Sequence, residues 1–141
     1  MNVEKQTLKA VPVRRRSASR LAAVQITYQS LITGQKATIF APQFLAYYAG
    51  DAAKSFKVKE LDHQHLDTLF MGVANDMEEL DASIAVQLVD GWSLSRLTRV
   101  ELSVIRCGVY ELRSMPHIPA RAAVSEYSSL SDVCGCDVGF V

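Results

Sequence analysis

Four arginines, Arg14, Arg15, Arg16 and Arg20, are the residues of this chain best suited to chemistry with a ligand. A guanidinium keeps its charge at any physiological pH, forks onto phosphate oxygens and stacks on unpaired bases. These arginines belong to residues 1–20, where six basic side chains stand against a single acid, Glu4, for a net charge of +5. The other 121 residues carry nine basic and fourteen acidic side chains, a net of −5, so the whole chain is neutral. A basic arm on a mildly acidic body suits a polyanion partner. A solvated terminus that only aids solubility is the plainer alternative.

The other candidates point away from catalysis. His63 and His65 form an HxH pair whose members face different sides of a helix, and no third ligand stands at a zinc spacing. A solvated helix start is the expectation for both. Cys134 and Cys136 flank Gly135 without the second pair that a structural zinc site needs. Glu78 and Glu79 read as a solvated helix face, and Trp92 as a packing anchor. The chain has no phosphate-cradling glycine loop, no nucleophile elbow and no HExxH. No catalytic residue, metal or cofactor is therefore assigned.

A length of 141 residues, 49% apolar and 21% charged, suits a single domain with a buried core. The longest uncharged run, Leu21 to Gln35, has 15 residues and includes Gln25, Thr27 and Gln29. A membrane-spanning helix needs about 20 apolar residues, so no membrane association is expected. Met1 to Ala10 lacks an apolar signal core, and three cysteines cannot all pair within the chain. Both features favour a reducing, cytoplasmic location.

The elements that must position the arginines read as helices. Residues 1–13, with Pro12, form a lead-in. Leu21, Val24, Tyr28 and Leu31 then recur at intervals of three and four, the mark of an amphipathic helix. Ser17 or Ser19 would cap it and Gly34 would end it. The arginine cluster thus falls at the first turn, where the helix dipole disfavours cations. Something other than helix stability is expected to keep it there. Phe44, Leu45, Tyr47 and Tyr48 suggest a short helix after Pro42, and Ala49 to Lys59 a loop. Asp62 would cap a long helix carrying Leu66, Leu69, Phe70, Val73, Met77, Leu80, Ile84 and Leu88 as far as Gly91. That span, roughly 40 Å at 1.5 Å per residue, invites a kink or break. Thr98 and Glu101 form a capping box ahead of Leu102, Ile105, Val109 and Leu112, and Pro116 closes that helix. Pro119 opens the last one, with Val124, Tyr127 and Leu130 on its buried side. No stretch alternates with period two between hairpin turns, so the chain reads as all-α.

Three ordered stretches resemble the bacterial transcription antitermination factor NusB family. They are Arg14-Arg15-Arg16 with Arg20 and the run Ala23 to Tyr28; Leu97 to Arg106 continuing into Val109-Tyr110-Glu111-Leu112; and Ile118-Pro119 leading into Ala123 to Tyr127, with a closing Gly139-Phe140-Val141. The resemblance spans about residues 14–141, and its second stretch is the most specific. It implies an all-helical fold of two packed sub-bundles and no enzymatic activity. It also implies binding to the boxA element of ribosomal-RNA leader transcripts, with NusE, a small-subunit ribosomal protein, inside an antitermination complex on RNA polymerase. Carried over by position, Arg14, Arg15, Arg16, Arg20 and Phe140 would contact RNA, and Tyr28 and Glu101 would face NusE. The resemblance leaves a homodimer open. Family members usually continue past the Phe-Val pair into a final helix, so residues 14–141 are expected to form the RNA-binding domain without it. Two other readings keep the helical fold: a detached RNA-binding domain of a ribosomal-RNA cytosine methyltransferase, and an adaptor that binds only protein.

Overall fold

Small residues decide how the first helix packs. In a computed structural model that describes residues 13–88 and 91–134, α1 (Val13–Thr33) buries Ala18, Ala22 and Ala23 together with Leu21, Val24 and Ile26. The alanine positions let neighbouring helices come close, and α1 packs against α2 (Ala37–Ser55), α3 (His63–Asn75) and α5 (Arg99–Ser114). The second hub is α5, which also receives α4 (Met77–Gln87) and α6 (Ala120–Val133). Among the described residues every regular element is helical, including a short 3-10 turn at Leu94–Arg96. The all-α expectation holds, with α1–α3 and α4–α6 joined where α5 packs against both α1 and α3.

The main core unites Ile26, Leu66, Leu69, Val73, Val104, Met115 and Leu130. Burying each of these side chains fully is worth about 1.5–3 kcal/mol. A smaller cluster of Ile84, Leu97 and Ile105 joins α4 to α5, with Trp92 and Leu94 packed against it. Trp92 is thus a packing residue, with the Arg96 guanidinium 5.0 Å from its ring centre.

Local signals hold well. Gly34 ends α1 with φ +75°, a left-handed geometry that costs glycine little. The Asp62 side chain accepts a hydrogen bond from the His65 amide, and Thr98 and Glu101 complete both halves of the capping box. The long apolar run breaks at Asp76, between α3 and α4, as its length suggested. It ends at Gln87, four residues short of Gly91.

Three expectations need correction. First, α1 begins at Val13, one residue inside the supposed lead-in, so Ser17 and Ser19 lie within the helix rather than capping it. Second, α2 runs through Pro42 and Gly50 to Ser55, where a short helix and a loop were expected. An interior proline costs about 3 kcal/mol, and the burial of Ala37, Phe40, Ala41, Ala52 and Ala53 offsets it. Third, Val124 and Leu112 are half exposed, and Ala123 takes the buried place on α6.

Candidate functional site

The basic arm enters the described structure as the first turns of α1. Arg14 is exposed and makes no ion pair among the described residues. Arg15 and Arg16 are partly exposed; Arg15 lies 3.2 Å from Glu60, and the Arg16 Nε lies 3.7 Å from Asp62. Such surface pairs are worth about 0–1 kcal/mol, comparable to the penalty for a cation at a helix N-terminus. The cluster is therefore not a device that stabilises the fold. Its position comes from the residues beneath it.

Ser19 fixes the register of α1 against the start of α3. Its hydroxyl accepts from the Asp62 amide at 2.8 Å and stands within hydrogen-bond distance of the Asp62 and Arg15 carbonyl oxygens. Ser17 Oγ donates to Glu126 on α6 at 2.5 Å. Arg20, which the resemblance implied would contact RNA, lies one turn deeper and is only 2% exposed. Its Nε is 3.0 Å from both oxygens of Glu111 and its Nη2 is 2.7 Å from one of them. Nη1 lies 3.4 Å from Glu126. With its guanidinium so engaged, Arg20 positions the arm from inside.

Glu111 collects the network. Besides Arg20 it accepts from His65 Nε2 at 3.1 Å and from the Tyr127 hydroxyl at 2.8 Å. One carboxylate thus ties α1, α3, α5 and α6 together. Burial alone would raise its pKa, but hydrogen bonds from His65 and Arg20 bring it down to about 2. Burial would likewise lower Arg20, and the hydrogen bond and charge of Glu111 more than reverse that. Tyr127 is raised well above the usual phenol range by burial and by neighbouring Cys107 and Glu111.

His65 is therefore a buried network member rather than half of a solvated pair, while His63 is exposed as expected. The sequence gives neither His65 nor Glu111 an evident role, although both carry a signal. His65 stands four residues before Leu69 and eight before Val73, on their apolar stripe. Arg20 stands four before Val24, and Glu111 four after Cys107. An ionisable residue on an apolar stripe implies a buried partner.

A second surface lies further along α1. Tyr28, 37% exposed, lines an apolar groove of about 530 Å³ with Leu21, Val24, Phe44, Tyr48 and Val100. Glu101, next to Val100, is 8% exposed and its carboxylate accepts from the Thr98 amide at 2.8 Å. The capping box therefore already uses the residue that the resemblance assigned to a partner. Phe140 and Cys136 lie outside the described residues. Among the described residues no helix is long and apolar enough to cross a membrane.

Comparison with known proteins adds independent findings. The NusB family model matches residues 17–139. A relative from Rhodopseudomonas palustris (strain BisB18), named transcription antitermination protein NusB, is 33% identical over 129 residues, covering 90% of this chain and 76% of its own length. Relatives of the same name from Mesorhizobium japonicum and Sphingopyxis alaskensis are 33% and 32% identical. These two cover 83% and 89% of this chain, and 76% and 85% of their own lengths.

Proposed function

This chain belongs to the NusB family and is a non-enzymatic transcription antitermination factor, and on that premise we propose that it acts in the cytoplasm by binding boxA RNA of ribosomal-RNA leader transcripts together with NusE. The observation that carries the RNA reading is the contrast within one arginine cluster. Arg20 is held inside by Glu111, while Arg14, Arg15 and Arg16 remain at the surface on the helical turns it anchors. Guanidinium groups carried on an already folded helix spare the cost of ordering the main chain of the arm when they meet a single-stranded phosphate backbone. Phe140 is proposed to join this surface.

Tyr28 is proposed to face NusE through the apolar groove. Glu101 would take part by holding Val100 at the groove's edge, since its own carboxylate caps α5. The pair would join the antitermination complex on RNA polymerase. Residues 14–141 would form the RNA-binding domain.

The test is a fluorescence-anisotropy titration of labelled boxA RNA, with a scrambled control, across a salt series with and without NusE. Binding should prefer boxA and tighten with NusE. Replacing Arg14 to Arg16 with alanine should weaken it and lower the log–log salt slope by about 0.7 for each phosphate no longer neutralised. An unchanged slope would remove the arm from the mechanism.

A further inference from the structure

We propose that the polar cavity between α1, the start of α3 and the α5–α6 turn receives one unstacked nucleobase of the RNA held by the arm, an inference that rests on the RNA-binding reading above. Arg16, Asp62, Gln64, Thr68, Met115 and His117 line this cavity of about 220 Å³. Pockets for drug-sized ligands run from about 300 Å³ upward, so the volume suits a single heteroaromatic ring.

The lining chemistry distinguishes a base from a phosphate. Asp62 would repel a phosphate, whereas its Oδ2, the oxygen that the α3 cap leaves open, has a lone pair left beside Arg16 to accept from the imino or amino N–H of a base. Gln64 offers an amide that both donates and accepts, the complement of a Watson–Crick edge, and Thr68 adds a hydroxyl. Among the described residues the side chains of Gln64, Thr68 and His117 make no hydrogen bond within the protein, so their polar atoms are free for a ligand. Met115 is 2% exposed and supplies a polarisable apolar contact, and the His117 imidazole supplies a planar face for stacking. Arg16 stands at the same cavity with its Nε 3.7 Å from Asp62, so the remaining N–H groups of its guanidinium can hold the phosphate next to the inserted base. Base recognition and backbone binding would then occur one nucleotide apart.

The experiment is a single-abasic scan of fluorescein-labelled boxA RNA against the wild type, a Gln64→Ala/His117→Ala variant and the Arg14–Arg16 alanine variant. Gln64 and His117 are both exposed, so the double variant should keep its fold, checked by circular dichroism. In the wild type one abasic position should weaken binding about tenfold, the scale of a single base–aromatic stack. In the double variant that sensitivity should vanish while the salt slope stays unchanged. An abasic profile and affinity identical to wild type would overturn the cavity proposal alone, provided the arm variant still lowers affinity. If the wild type binds neither boxA nor scrambled RNA, the cavity proposal falls with the RNA-binding reading.

Discussion

Arg20 and Glu111 are 91 residues apart in the chain and form a forked ion pair in which Nε and Nη2 engage both carboxylate oxygens. Removing one partner of a buried pair costs about 3–5 kcal/mol, because the other charge is left without compensation. That is a large share of the roughly 5–15 kcal/mol that holds a typical domain together. Glu111→Ala is expected to lower the urea midpoint by a corresponding amount. Tyr127→Phe, which removes one hydrogen bond to the same carboxylate, should cost about 1–3 kcal/mol. Equal small effects for both would show that the network contributes little.

Acid should act on the same residue. The Glu111 carboxyl sits at about 2 in the folded chain, below the ordinary value of 4.5. A group whose pKa is depressed by folding adds stability that is complete above its unfolded value and is lost as pH falls through the folded one. The stability gap between wild type and Glu111→Gln should therefore narrow between about pH 4.5 and 2. Denaturant midpoints over that range measure it, and a constant gap would contradict the assignment.

Gly72 makes room for Tyr110. A Cβ at position 72 would fall inside the phenol ring, which must then move. Gly72→Ala is expected to destabilise by about 1–3 kcal/mol, the usual range for overpacking. In a Tyr110→Ala background the same change should cost much less. A double-mutant cycle of thermal or urea unfolding gives the coupling, and additivity would mean that the ring moves freely.

Glu101 offers a way to separate capping from partner contact. Glutamine preserves the capping geometry, so Glu101→Gln should leave stability nearly unchanged, while Thr98→Ala should cost about 1 kcal/mol. If the carboxylate charge itself meets NusE, Glu101→Gln will weaken the complex in a calorimetric titration. Unchanged affinity would confine Glu101 to its role at the start of α5.

Cys107 is expected to resist alkylation. It is fully buried, and burial raises its thiol to about 12 despite a 3.5 Å contact with the Thr27 hydroxyl. Thiolate is the reactive form, so iodoacetamide at about pH 8 should modify the partly buried Cys134 well before Cys107. Peptide mapping by mass spectrometry reports the order. Early labelling of Cys107 in the folded chain would show that α1 and α5 separate readily.

The features legible in the sequence are those whose cause lies within a few residues. The Thr98–Glu101 box, the Asp62 cap, the Gly34 stop and the Pro119 start each depend on neighbours three or four positions away. The extent of α2 is not legible, because the burial that outweighs Pro42 comes from packing by other helices. The arginines are visible as a group, yet their division into buried Arg20 and surface Arg14 to Arg16 depends on Glu111 and Glu126, both contributed from the far end of the chain. His65 misleads for the same reason, since its partner lies 46 residues on. Phe140 falls outside the described residues.

The packing of Trp92 has a spectroscopic consequence. The chain has one tryptophan, and it rests on the small Ile84–Leu97–Ile105 cluster rather than in the main core. Its emission is therefore a local optical probe of the α4–α5 corner, whereas far-ultraviolet ellipticity averages over all helices. Superimposable melting curves from the two signals would describe one cooperative unit. A fluorescence transition that runs ahead would reveal the corner as a separate foldon, opening while the Glu111 network keeps the arginine arm in place.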